Sequence, residues 1–465
     1  MKSTPFYLIG PAILALAIGQ TIAQDETETA KAAPEITASD VAGSWSWTAP
    51  GFGGQEIDAE LTLKQSGAEI SGTYNGRRGE TKIEGGKVEG DSISFNYVRS
   101  FGDNDFTTTF AGKVQEGEIV GKITSPGRDG DTRETYWHAY KDPEINPSGL
   151  WKWSRTSGRD GSQRHSWVKL AYAKGKLTGV YRTTRSQAPI KEATLNGKEI
   201  AFKVERGGRT RTSTTSYKGT LDSSAIKGTI TSRRGEEDRT ADWAAARETP
   251  KVDAVGSWTW TSRFGRNGEE VTNTLALKQE GDALTGTLDG RSGESAIADA
   301  KLSGDEVTFN VSTENDRGNF TSAYTATIDE DILKGSIATK SGERSFERPF
   351  RASRVLPKPE PVGAWKWSTR GWGAAASDTE NALTLTMTDG KLGGTYASGD
   401  NSSAIEDAKL DKNTLTFKVQ RTIRDQERTM NYTGQFRGDV LKGHYSVGEN
   451  TSGSVTLWEA KKSSE

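Results

Sequence analysis

The sequence predicts an all-β protein: four tandem antiparallel up-and-down β-barrels of about eight strands each, after a signal peptide. Three observations predict it. The motif Gly-x-Trp-x-Trp stands at Gly43–Trp47 and returns at Gly149–Trp153, Gly256–Trp260 and Gly363–Trp367, with starts 106, 107 and 107 residues apart. An aromatic residue closes each unit, at Trp137, Trp243, Phe350 and Trp458, followed two residues later by Ala and four later by Lys or Arg. Between these marks apolar and polar residues alternate, as in Ala59, Leu61 and Leu63 or Val307, Phe309 and Val311. Self-similarity at a fixed period means one design repeated, and a period of two means strands with one buried face.

The N-terminus has a positive start at Lys2, an apolar run from Phe6 to Gly19 and small residues near Ala23. That order is the pattern of a secretory signal peptide over residues 1–23. Residues 24–40 are acidic, rich in Ala and Thr and aperiodic, which predicts a flexible tether. The four barrel repeats then occupy residues 41–141, 148–247, 255–354 and 362–462. Short Pro-containing linkers between them carry Pro143 and Pro147, then Pro250, then Pro357, Pro359 and Pro361. Linkers of this kind stiffen the spacing between neighbours.

Within each unit the turns recur every 10–12 residues, at Glu89-Gly90-Asp91, Asn196-Gly197-Lys198, Ser303-Gly304-Asp305 and Asp411-Lys412-Asn413. A meander of this kind has two edges to protect, and closing into a barrel removes both; a sandwich is the alternative. Trp45 and Trp47 lie on one face of their strand, and Trp137, Ala139 and Lys141 on one face of theirs. The end cations Lys141, Arg247, Arg354 and Lys462 are therefore expected to stack over a first-strand indole. The structural core is expected to hold Trp45, Trp47, Trp151, Trp153, Trp258, Trp260, Trp365, Trp367, Trp137, Trp243, Phe350 and Trp458.

Apolar residues make up only 32% of the chain, and the mean hydropathy is −0.70. The 13 Trp, 12 Tyr and 14 Phe nevertheless supply large buried area at fixed places. The formal charge of −2 hides an asymmetry. Residues 149–248 carry 21 Lys and Arg against 10 Asp and Glu, a net of +11. This is either a well-solvated basic face or a module for anions such as an acidic polysaccharide. With no Cys, the domains owe nothing to disulfides, zinc thiolates or thiol catalysis, and a lipid-modified cysteine is excluded.

These residues resemble the calycin group, the lipocalins and avidins, which open their barrels with Gly-x-Trp. The third strand, Ile70–Tyr74, Leu177–Tyr181, Leu284–Leu288 and Leu392–Tyr396, is similar to the avidin Leu-Thr-Gly-Thr-Tyr. The resemblance implies an eight-stranded barrel and makes Tyr74, Tyr181 and Tyr396 candidates for ligand contact; unit three departs with Leu288. Two residues after the first Trp, where avidins place a biotin-contacting Asn, this chain has Trp47, Trp153, Trp260 and Trp367. A second inward indole fills the space a small ligand needs, so biotin binding is not expected.

Catalytic chemistry finds little support. The three His, His138, His165 and His444, sit in non-equivalent places without metal-ligand spacing. No nucleophile elbow, phosphate loop or HExxH motif occurs, and acidic clusters such as Glu236-Glu237-Asp238 do not recur in all units. No catalytic residue, cofactor or metal is expected. The loop after the first strand is the best candidate for ligand binding. It carries Phe52, Phe264 and Trp372 in units one, three and four, and Arg155, Arg159 and Arg164 in unit two. Aromatic tips there either stack on sugars or a partner, or fold back as plugs of the barrel mouth.

The function expected is a secreted, periplasmic or extracellular non-catalytic protein, its barrels forming a binding or spacer array for glycans or envelope components. A ligand-free structural surface protein, a lipocalin-type carrier and a barrel-mouth enzyme are the alternatives. The expected partner is a polysaccharide or cell-envelope component, not nucleic acid, and no membrane span remains after signal cleavage. The oligomeric state is left open by the sequence.

Overall fold

The computed structural model describes residues 39–463, except 51–55, 77–78, 102–103, 128–130, 157–160, 208–211, 235–236, 265–268, 281–282, 316–317, 342–343, 371–376, 424–425 and 451. The signal peptide, nearly all of the tether, and the tip residues Phe52, Arg159 and Trp372 lie outside these. The side chain of Phe264 does too.

Every regular element described is a β-strand, and every pairing is between antiparallel neighbours. In the first unit the strands run in meander order from Gly43–Pro50 to Thr132–Lys141. The ring closes where Trp45 pairs with Lys141 and Ser46 with Tyr140. Units two and four close in the same way, through Trp151 with Arg247 and Trp365 with Lys462. Each ring has eight strands, of which the fourth bends at a β-bulge. The residue at the bend sits in the left-handed region: Gly85, Glu192, Asp299 and Asp407, at φ between 48° and 58°. Bulges sharpen local twist and allow a sheet to curl into a barrel. In units one and three the strand is also interrupted two residues earlier, giving Gly79–Lys82 and Glu84–Glu89 in unit one and Gly293–Ala296 and Ala298–Ser303 in unit three. In unit three the ring is completed at this point by Ile297 N–H donating to Gly286 O at 3.1 Å rather than by a ladder.

The hairpin turns fall at the positions the composition marks. Gly90, Gly197 and Gly304 take φ of 60°, 58° and 66°, and Lys412 takes 52° in the fourth unit, where no Gly is present.

One end of every barrel is sealed. The first indole of each unit is 0% exposed, and its N–H donates to the carbonyl four residues upstream. These bonds run from Trp45 to Val41 (2.9 Å), Trp151 to Pro147 (2.8 Å), Trp258 to Ala254 (3.0 Å) and Trp365 to Pro361 (2.9 Å). The end cations stack over these rings, as the strand faces require. Lys141 and Lys462 lie 5.7 Å from the centroids, Arg247 at 4.3 Å and Arg354 at 4.1 Å. The same cations donate to carbonyls of the preceding segment: Arg247 to Asn146 at 2.7 Å and Ser148 at 2.6 Å, Lys462 to Glu360 at 3.1 Å. A cation–π contact of this kind contributes roughly 0.5–2 kcal/mol, depending on desolvation. Arg247→Ala is therefore expected to lower the melting temperature of the second barrel, with Arg247→Lys partly restoring it. An unchanged thermal unfolding curve for both variants would contradict this account of the seal.

The barrels are not independent cylinders, contrary to what ring closure suggested from sequence. Units two and four share one sixteen-stranded sheet, because Ser186 pairs with Thr456 and Gln187 with Val455, and Leu457 N–H donates to Arg185 O at 2.9 Å. The cause is the shortness of each seam. The first and last strands of unit four pair only at Trp365–Lys462 and Lys366–Lys461, so Val455 and Thr456 run on with one edge open. Residues 186–187 likewise precede the first pair with the next strand, Ile190–Val204. Two open edges of complementary direction meet, and each satisfies the other's backbone groups. Ion pairs also join unit three to its neighbours, Asp329 with Lys169 at 2.7 Å and Asp331 with Arg437 at 2.8 Å.

Candidate binding site at the barrel mouths

The barrel interior is an aromatic column, and its order explains what reaches the unsealed end. In unit one Phe95 stacks on Phe110 at 4.7 Å, Phe110 meets the edge of Trp137 at 5.1 Å, and Trp47 lies 5.9 Å from Trp137. Trp47 then stacks on Tyr74 at 5.8 Å and Tyr74 on Tyr97 at 5.0 Å, with the Arg99 guanidinium 5.2 Å from the Tyr97 centroid. The second indole of each unit contacts the closing-strand aromatic: Trp153–Trp243 at 5.7 Å, Trp260–Phe350 at 5.2 Å, Trp367–Trp458 at 5.1 Å. Trp367 is half-buried; the other three second indoles are buried.

The column ends in an arginine above tyrosines. Arg206 lies 5.7 Å from the Tyr181 ring and Arg421 5.8 Å from Tyr396; in unit three Arg348, from the closing strand, hydrogen-bonds Tyr324. Arg99, Arg206 and Arg421 stand four residues after Phe95, Phe202 and Phe417, so period two alone puts them on the interior row. Sequence reading passed over them because one arginine among 61 basic residues carries no signal until the register is known. Tyr74, Tyr181 and Tyr396 do point inward, with the Tyr396 hydroxyl donating to Asn381 Oδ1 at 2.9 Å and Tyr181 Oη 3.1 Å from Ser166 Oγ.

Burial raises the phenols. Tyr74 is pushed up to about 12, chiefly by burial and then by Tyr97, against the lowering effect of Arg99. Tyr324 and Tyr445 are raised as well, burial again the leading cause. The folded state thus holds protons that the unfolded chain releases from about pH 10. Stability from these groups is complete below pH 10 and is lost as pH rises from 10 through 12. Alkaline titration is expected to show tyrosinate absorbance appearing late, together with loss of the near-ultraviolet circular dichroism of the core. An ordinary tyrosine titration with the fold intact would contradict the burial.

The loop after the first strand is shorter than the sequence suggested. Arg155 belongs to the first strand of unit two (Gly149–Thr156), Arg164 to the second (Gln163–Ala173), and the backbone of Phe264 ends the first strand of unit three. Arg155 and Arg164 face each other in register. Alternation carries the strands further than the Gly, Arg and Ser content indicates, because cross-strand pairing overrides weak local preference.

The histidines lie on outer faces. His138 Nε2 is 2.8 Å from Glu118 and His165 Nδ1 2.7 Å from Ser154 Oγ. Ser154 and His165 are exposed, and no carboxylate contacts the far ring nitrogen of His165 among the described residues. Among those residues no group of three or more His, Asp or Glu could hold a metal ion, and no helix is long and apolar enough to cross a membrane.

Fold and mouths together define a class: an all-β chain of joined small barrels, each sealed by tryptophan and a cation at one end and presenting arginine over tyrosine at the other. No protein-family model matches the sequence, and no curated protein matches it. Among solved structures it is similar to a double mutant of transferrin binding protein B (TbpB) from Haemophilus parasuis Hp5. The match has 13% identity and covers 95% of this chain and 98% of that chain, with a TM-score of 0.16. Intact Ap-TbpB, with its N and C lobes, matches at 12% identity over the same shares, with a TM-score of 0.17. Scores this low carry no argument about function, which rests on the residues of this chain.

Proposed function

We propose that this is an exported, non-catalytic binding protein whose four barrels form an array for extracellular glycans or other cell-envelope components. The recurrence of an inward arginine over tyrosine at the unsealed ends supports this reading. The core needs no charge there, and in unit two the buried Arg206 Nε finds no acceptor among the described residues, which costs solvation unless a ligand accepts from it. The shared sheet and the ion pairs tie units two, three and four to one another, so weak sites can act together through avidity. Incubating the whole chain on an array of glycans, with a parallel pull-down from solubilised envelope material, tests it. Retention of a glycan or envelope component is expected; no retention of either removes the reading.

The strand pairing between units two and four favours one second reading, a structural surface protein that grows by edge pairing between copies. It predicts concentration-dependent self-association by sedimentation and no retained ligand.

A further inference from the structure

The mouth of the second barrel differs from the other three in charge. Its interior-facing rows end in Arg155, Arg164 and Arg206, and Arg239 occupies the same level on the closing strand, four residues before Trp243. At the place of Arg155 the other units carry Ala49, Ser262 and Thr369; at that of Arg164 they carry Ile57, Val271 and Thr379. Arg155 and Arg164 stand directly opposite across the ladder, a pairing of like charges that works against the sheet. Arg206 Nε is buried and has no hydrogen-bond partner among the described residues, and its NH2 reaches only Thr215 Oγ1 at 3.4 Å. Among the described residues Glu237 is the one carboxylate on these rows, placed opposite Arg234 at the hairpin end.

Beneath the arginines lie neutral donors. Tyr181 and Tyr217 are each 3% exposed, and burial holds the Tyr217 phenol well above its usual range. Their ring faces are already taken, Tyr217 stacking on Phe202 at 4.7 Å and Tyr181 packing on Trp153 at 5.8 Å.

We infer that the mouth of the second barrel binds an acidic saccharide, the guanidiniums of Arg155, Arg164 and Arg206 taking a carboxylate or sulfate on the sugar. Planar guanidiniums match such oxyanions through paired charge-assisted hydrogen bonds. A single-stranded nucleic acid would need free aromatic faces for its bases, and here the faces are covered.

This inference rests on the array reading and narrows it, so the experiment separates the two. The full chain is titrated calorimetrically with oligogalacturonate, dextran sulfate, a neutral cello-oligosaccharide and a single-stranded oligonucleotide. Binding of either acidic saccharide is expected, weakening with added salt. Arg206→Gln and Arg164→Gln should each reduce it at least tenfold, while Lys122→Gln on the outer face of the first barrel leaves it unchanged. Arg164 is exposed, so its variant tests the site even if Arg206→Gln perturbs folding. Acidic binding unaffected by either variant overturns the inference and leaves the array standing. Binding of the neutral sugar alone does the same. Tighter binding of the oligonucleotide overturns it, and so does no binding of any probe, which leaves the array reading to the glycan array and envelope pull-down.

Discussion

Trp151→Ala is expected to destabilise the second barrel by about 3–5 kcal/mol, the cost of truncating a fully buried large aromatic. Three losses coincide at this residue. The indole is 0% exposed, its N–H holds Pro147 O at 2.8 Å, and Arg247 stacks over it at 4.3 Å. Without the ring, the Arg247 guanidinium loses its platform and the linker loses its anchor, while a cavity opens at the sealed end. For a domain of about 100 residues each kcal/mol moves the melting temperature by roughly 4–8 °C, so calorimetry should show a separate early transition. The joined sheet adds a second expectation: the fourth barrel, losing its edge partner when the second melts, should itself melt slightly earlier than in the unsubstituted chain. Tyr136→Ala is the control, since that ring is 68% exposed and its loss should stay within about 0.5 kcal/mol. Equal melting for Trp151→Ala and the control would refute the sealed-end account.

Gly228→Val should be at least as damaging, through overlap rather than a void. A Cβ at Gly228 would stand 2.0 Å from Lys218 O and 2.4 Å from the Gly219 Cα, both backbone atoms that cannot swing aside. The seventh strand crosses its neighbour this closely in every unit, Gly228 facing Gly219 on one side and Trp243 on the other. Gly121, Gly335 and Gly443 occupy the same place beside Trp137, Phe350 and Trp458. Ordinary overpacking costs roughly 1–3 kcal/mol, and a clash with backbone exceeds it. The expected result is a second barrel that fails to give a cooperative transition, or loss of soluble protein. Gly393→Ala, whose added Cβ meets nothing within 4 Å, should be tolerated. A Gly228→Val chain that melts like the parent would show that the close crossing is not required.

These glycines mark where sequence reading stopped. The Gly-x-Trp-x-Trp and aromatic-x-Ala-x-cation marks were visible as a repeat, and alternation gave strands without any coordinates. The cation above the first indole followed from the same arithmetic, because residues two apart share a face. The close crossing at Gly228 did not, since glycine in a turn-rich chain has many explanations and only the partner strand's backbone selects one. The mouth arginines were hidden for a related reason. Arg206 reads as one more basic residue near a turn until register places it on the row of Phe202 and Val204.

The sequence by itself determined the fold class, all-β closed barrels in tandem, because period two and the recurring end marks are local properties that any folding of the chain must respect. It also determined which indole each end cation meets. Only the tertiary structure decided how far the rings close, that units two and four share a sheet, and which basic residues gather at one mouth. Those outcomes depend on where two strands stop pairing, a balance between distant backbone edges that no single segment encodes.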